Sequence, residues 1–169
     1  MTVKQRIRIR QTKTIHDEWA SLKIISFDYL RHDGAWQSLQ RENYDCGHGA
    51  TILLYNVHRR TIILTRQFRM AAFTDGYEDL MVETPAGLLD DATPEERIRA
   101  ETQEETGYRE YTPQDRIAKG GGLREEGEDI EVLEMDFDAA YAMIADGRIQ
   151  DGKTIMLLQH AALHLFPAR

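Results

Sequence analysis

The chain has 169 residues, 21 of them basic and 29 acidic, for a net charge of −8. That length suffices for one domain with a sizeable core, and the acidic balance argues against a general nucleic-acid binder. No apolar run reaches signal-peptide or membrane-spanning length, and Cys46 is the only cysteine, so a chain with no internal disulfide, in a reducing cytoplasm, is expected.

In chain order, KQRIRIRQTK opens with alternating Arg6, Ile7, Arg8, Ile9 and Arg10, which reads as an exposed or edge strand rather than a nucleic-acid arm. Residues 21–30 and 35–44 read as two strands joined at His32-Asp33-Gly34, a hairpin turn. A second pair is predicted over 51–56 and 61–68 around His58-Arg59-Arg60. A short strand over 80–83 leads to a loop at Gly87. After it come a helix from Pro94 to Gly107, a strand over 130–135, a helix over 138–145 closed by Gly147, and a last helix over 152–165. Cys46 has no histidine arrangement to activate it and reads as an inert thiol.

The helix after Gly87 is unusually acidic. Thr93 is a good N-cap, Pro94 suits the first helical position, Glu96 completes a capping box and Gly107 is a natural stop. At helical spacing Glu101, Glu104 and Glu105 share one face, beside Ile98, Thr102 and Ala100, while Glu96, Arg99 and Gln103 point the other way. A solvated acidic face is the simpler account of such a stripe. The wheel instead turns the carboxylates toward the protein body, where charges need partners. Arg97 alone cannot balance three, so a hard divalent cation with oxygen ligands is the candidate partner.

Residues 87–108 resemble the signature of the Nudix hydrolases, through Gly87, Glu101, Glu104, Glu105, Gly107 and Tyr108. Three positions depart from it: Ala100 stands for an Arg, Thr102 for an apolar residue, and Ala92 or Thr93 for an early Glu. The spacer is also one residue short. YDCGHGATILLYN at 44–56, LTRQFRMA at 64–71, GEDIEVLEMDF at 127–137 and IQDGKTIMLLQ at 149–159 are similar to the GDP-mannose pyrophosphatase branch, close kin of the ADP-ribose pyrophosphatases. The resemblance implies an α+β fold, an α/β/α sandwich with a mixed sheet, plus a small N-terminal antiparallel sheet. It divides the chain into residues 1–45, for dimerisation and base contacts, and residues 46–169, the hydrolase domain. It also implies a strand pair with a Ser-Pro-Gly turn and a later Glu after the acidic helix. Here only Arg109 to Gln114 precede DRIAKGGG, so either the molecule is shortened or a segment is missing between Gln114 and Asp115. Exposed edges and core after such a deletion favour the second.

The resemblance further implies Mg²⁺, with Mn²⁺ as the alternative, held by Glu101, Glu105, Glu128 and the backbone carbonyl of Ala86. Glu104, Glu105 and Glu128 are the catalytic candidates, and whether Glu104 or Glu128 is the general base stays open. Arg69, Gly87 and Lys153 match substrate-contacting positions, as do Trp19, Gln40, Arg41 and Glu42. Trp19 is equally suited to anchoring a dimer interface, and Gln40 replaces a Lys. KGGGLREEGED at 119–129 is read as a surface loop, either mobile or closing over substrate. The implied activity is hydrolysis of GDP-mannose to GMP and mannose 1-phosphate, in a homodimer that exchanges N-terminal strands. Alternatives are an ADP-ribose or ADP-sugar pyrophosphatase, or a degenerate Nudix domain that binds nucleotide without hydrolysing it.

Overall fold

The structure, a computed structural model, describes residues 1–109 and 116–167. It divides into two compact units, Met1–His48 and Gly49–Arg169. The expected join between Gln114 and Asp115 lies outside the described residues.

The first unit is an antiparallel meander of β1 (Ile7–Asp17), β2 (Ser21–Leu30) and β3 (Trp36–Asp45), with β2 in the centre. The basic run forms the edge strand β1, exposed along its whole length as its alternation predicts. Its register slips twice, between Ile9 and Gln11 and between Thr14 and His16, as β-bulges do at sheet edges. At the β2–β3 turn Gly34 takes φ +83°, while Arg31 and Ala35 close the hairpin with a 2.9 Å backbone bond. Charges stitch the strands: Arg10 pairs with Asp28, Ser38 Oγ donates to Asp28 Oδ1 at 2.8 Å, and the Arg8 guanidinium lies 3.8 Å from the Trp36 ring. The sheet has almost no core of its own. Trp19, Ile9 and Tyr44 are 74, 64 and 64% exposed.

In the second unit the predicted strand over 51–56 splits into β4 (Gly49–Thr51) and β5 (Leu54–Asn56). The two halves have different partners. β4 pairs with a strand the sequence reading placed within a loop, β8 (Ala86–Leu88), whereas β5 pairs with β6 (Thr61–Gln67). One edge of β6 carries β5 along its first half and β7 (Met81–Glu83) along its second, and β9 (Glu131–Asp136) runs along the other edge. All of these pairings, among the described residues, are antiparallel. The β5–β6 connection is only four residues, Val57–Arg60, and a parallel crossover needs about a dozen or more.

β6 explains the layering. Its run from Ile62 to Thr65 is buried on both faces, as in a central strand. Ile62 and Leu64 face a core of Phe137, Ala140 and Met143 from α3 (Phe137–Ala145), Leu158 and Ala161 from α4 (Gly152–His164), and Phe166. Ile63 joins Leu54 and Tyr108 in a second cluster. Helix α1 (Met70–Thr74), which the sequence reading missed, is a five-residue turn with an exposed Phe73. Asp136 and Asp151 cap α3 and α4, accepting from the Ala139 and Thr154 amides at 3.0 and 2.8 Å.

Phe137 is 2% exposed and its ring centroid lies 4.4 Å from that of Phe166. Phe137→Ala is therefore expected to lower stability by about 3–5 kcal/mol, read as a shifted midpoint in urea denaturation.

Candidate active site

The acidic helix begins as its sequence dictates. In α2 (Pro94–Glu101) the Thr93 hydroxyl accepts from the Glu96 amide at 3.3 Å, and the Glu96 carboxylate accepts from the Thr93 amide at 3.1 Å. Its end departs from the predicted regular helix: Thr102–Thr106 form a π-turn closed by Gly107 at φ +76°. The Thr102 and Thr106 hydroxyls donate back to the carbonyls of Ile98 and Thr102, a pattern that loosens the regular ladder. Such π-turns gather at functional sites. Thr102, at the position where an apolar residue was expected, is buried with its hydroxyl satisfied.

The acidic stripe does turn toward the protein body. Glu101 and Glu105 are 6 and 2% exposed, Glu104 is half-buried, and Arg99 and Gln103 face outward. Arg97 pairs with Glu101 along the helix, one turn away from Ala100, the position the signature gives to an Arg. Glu105 is less well compensated. Its Oε2 is buried with no partner, although the Ala86 N–H supplies a hydrogen bond to the carboxylate. Burial first, then the charges of Glu101 and Glu128, push Glu105 up to about 8, against the opposing pull of Arg69. Burial likewise raises Glu101 despite Arg97.

Three glycines let these parts meet. A Cβ on Gly87 would lie 1.9 Å from Glu101 Oε1, so the β8 backbone and the carboxylate occupy neighbouring space that only glycine leaves open. Gly120 and Gly122 take φ +71° and +78°, with virtual Cβ atoms 2.6 Å from the Glu105 carbonyl oxygen and from the Glu128 side chain. The 119–129 stretch is thereby docked onto the helix end. Gly121 and Gly122 amides donate to the Glu105 and Glu104 carbonyls at 2.8 and 3.2 Å, and Ile117 N–H donates to the Gly107 carbonyl at 2.8 Å. The loop thus closes carbonyls that a helix C-terminus leaves open. Glu128 Oε2 accepts from the Leu123 amide at 2.8 Å, and its charge raises both Glu101 and Glu105.

Arg69 and Lys153 meet at Glu83, a residue that sequence patterns do not single out. Arg69 Nε and Nη2 reach its carboxylate at 3.1 and 2.8 Å, and Lys153 Nζ reaches it at 3.2 Å. The Glu83 hydrogen bond, against the cost of burial, and the charges of Glu83, Glu105 and Glu128 keep the Arg69 guanidinium protonated. Arg69 therefore belongs to the same electrostatic cluster as the acidic helix. The only early signal for Glu83 was its place directly before Thr84-Pro85-Ala86-Gly87. Of the N-terminal candidates, Trp19 lies exposed in the β1–β2 turn. Gln40, Arg41 and Glu42 are consecutive on β3, so Arg41 points to the face opposite the other two. Gln40 Nε2 donates to Ser26 Oγ at 3.1 Å.

Among the described residues no three acidic, histidine or cysteine side chains stand close enough to form a finished metal cluster. The donor set nevertheless fits a hard divalent cation. A buried, unpartnered Glu105 oxygen sits in the field of two further carboxylates, an arrangement a cation relieves.

The family described as the GDP-mannose pyrophosphatase NudK N-terminal domain matches residues 6–44, nearly the whole three-stranded sheet. The chain is 46% identical to a GDP-mannose pyrophosphatase of Pectobacterium atrosepticum over 184 aligned positions, covering 93% of this chain and 94% of that protein. Identity to the GDP-mannose pyrophosphatase of Salmonella arizonae is 40%, covering 96 and 97%, and to that of Klebsiella pneumoniae 39%, covering 91 and 90%. The Pectobacterium alignment is longer than the 169-residue chain itself, so that relative carries residues with no counterpart here. A solved structure titled as an ADP compounds hydrolase superposes with a TM-score of 0.63 at 13% identity, covering 94% of this chain and 95% of that one, a likeness of fold.

Two outcomes follow from the geometry. Gly87→Ala should displace the Glu101 side chain and cost about 1–3 kcal/mol in chemical denaturation. In metal-free protein, the raised Glu105 carboxyl favours folding in its neutral form. Its contribution is complete below the unfolded value of about 4.5 and lost as pH rises through about 8. Stability in EDTA should therefore decline between pH 5 and 9, and Glu105→Gln should flatten that decline.

Proposed function

The chain belongs to the GDP-mannose pyrophosphatase family of Nudix hydrolases, and from that premise we propose that it hydrolyses GDP-mannose to GMP and mannose 1-phosphate with Mg²⁺, Mn²⁺ being the alternative ion. The observation that carries this reading is the buried Glu105 carboxylate, one oxygen unpartnered, beside Glu101 and Glu128 and opposite the cations Arg69 and Lys153. Glu101, Glu105, Glu128 and the Ala86 carbonyl would hold the divalent cation, which supplies charge for the two phosphates and acidifies a bound water.

The remaining chemistry belongs to the chain. Arg69 and Lys153 bind the diphosphate, the guanidinium by its paired donors and the ammonium as a point charge. Glu104 or Glu128 orients and deprotonates the water that attacks phosphorus. Glu104 is half-buried on the helix, whereas Glu128 is tethered by the Leu123 amide. The departures from the signature leave this set intact, because Arg97 holds Glu101 and the Thr102 hydroxyl is satisfied. Trp19, Gln40 and Glu42 contact the base, Trp19 by stacking. Gln40 is the reason to test an adenine nucleotide beside a guanine one.

The N-terminal sheet is the dimerisation element in this reading. It exposes Ile9, Ile15, Trp19, Trp36 and Tyr44 and has few buried residues, so a second copy is the natural cover for it.

A panel of GDP-mannose, ADP-ribose and ADP-glucose, with GMP or AMP release measured with and without Mg²⁺, tests the substrate. GMP release that needs Mg²⁺ is expected, and preference for an adenine substrate would overturn the guanine assignment. Glu105→Gln should lower turnover by roughly a hundredfold or more while leaving the protein folded by circular dichroism. Light scattering at micromolar concentration should give a dimer mass, and a monomer would remove the exchange and the base contact from Trp19.

A further inference from the structure

Arg69 and Lys153 come from chain segments far apart, one just past β6 and the other in the first turn of α4, yet both reach a single carboxylate. Two cations at one spot repel each other unless an anion lies between them. Glu83 is that anion. Its side chain is 4% exposed, whereas those of Arg69 and Lys153 are 41 and 29% exposed, so an arriving ligand meets the cations and not the carboxylate behind them. The backbone beneath it is fixed. Glu83 ends β7 opposite Thr65, whose hydroxyl donates to the Glu83 carbonyl at 3.3 Å. The next amide, Thr84 N–H, donates to the Thr154 hydroxyl at 2.8 Å, tying β7 to the α4 turn that carries Lys153. Lys153 also reaches Asp151, the α4 cap, at 3.0 Å.

We propose that Glu83 is a positioning residue for the diphosphate: it holds Arg69 and Lys153 as a preformed two-cation clamp, from behind and without touching substrate. The inference rests on the proposed function, because it takes the anion gripped by that pair to be the diphosphate of a nucleotide sugar. A carboxylate that only packed the ion triad would affect folding and leave anion affinity alone. A positioning carboxylate couples to its cations in binding.

The test combines kinetics on GDP-mannose with calorimetric binding of GDP in EDTA, for the wild type, Glu83→Gln, Lys153→Ala and the double variant. Gln keeps the volume and one acceptor but loses the charge and cannot hold both cations. Glu83→Gln should raise KM and the GDP Kd about tenfold while kcat changes less than about threefold. The double variant should bind GDP worse than Lys153→Ala by less than about tenfold, the remaining loss passing through Arg69, and so short of the roughly hundredfold that independent effects would multiply to. Wild-type KM and GDP affinity in folded Glu83→Gln, or losses that multiply, would overturn the clamp. If Glu83→Gln does not fold, Glu83→Asp keeps the charge but withdraws it by one methylene, and unchanged GDP affinity in that variant overturns the clamp as well. Should the wild type release no GMP from GDP-mannose, the proposed substrate falls, and the GDP arm still decides the role of Glu83.

Discussion

Two carboxylates that ought to repel, Glu101 and Glu105, are buried side by side, and much of the second unit is arranged around them. A glutamate taken out of water is costly unless it is paired, hydrogen-bonded or neutral. Here each remedy is used in part: Arg97 for Glu101, and the Ala86 amide, the field of Arg69 and a raised proton affinity for Glu105. Gly87 makes room for one carboxylate, and the glycines at 120–122 hold the helix end on which the other sits. Under the proposed function, that incompleteness is what a cation would complete. A fully compensated pair would have nothing left to offer a cation.

The same logic separates the two sides of the site. On one, anions are gathered with too little positive charge; on the other, Arg69 and Lys153 are gathered around one buried anion, with Asp151 at the side. The field of Arg69 reaches Glu105, and those of Glu105 and Glu128 reach Arg69. The two clusters are thus close enough to share one field, in which Arg69 and Glu105 act on each other.

What could be read from the sequence follows how local each feature is. The capping box at Thr93, the burial of the acidic stripe and the edge character of the basic run all came from patterns within about a dozen residues, where period and capping chemistry act directly. The π-turn was missed because it depends on the Thr102 and Thr106 hydroxyls choosing carbonyls over solvent, a choice that pattern does not encode. The split of 51–56 into β4 and β5, and the strand β8 at Gly87, depend on two different partners, Gly49 meeting Leu88 whereas Leu54 meets Ile63. Glu83 stayed hidden for a related reason. Its significance lies in two cations, one of them 70 residues along the chain. The glycine-rich stretch reads as a loop from composition and is one, but its anchoring to the helix end is tertiary.

That anchoring changes what the stretch is in solution. Gly121 and Gly122 amides are bonded to carbonyls of the π-turn, and the Ile130 amide returns to the Gly121 carbonyl at 3.1 Å. Amide hydrogens held this way exchange with solvent only when the helix end itself opens. In a deuterium-labelling time course these glycines would keep pace with Glu105 and lag behind exposed turns such as that at Asp33. A segment whose regular structure is one short 3-10 turn, Arg124–Glu126, would then carry the opening free energy of a helix, and any event that frees it would loosen the carboxylates in the same step.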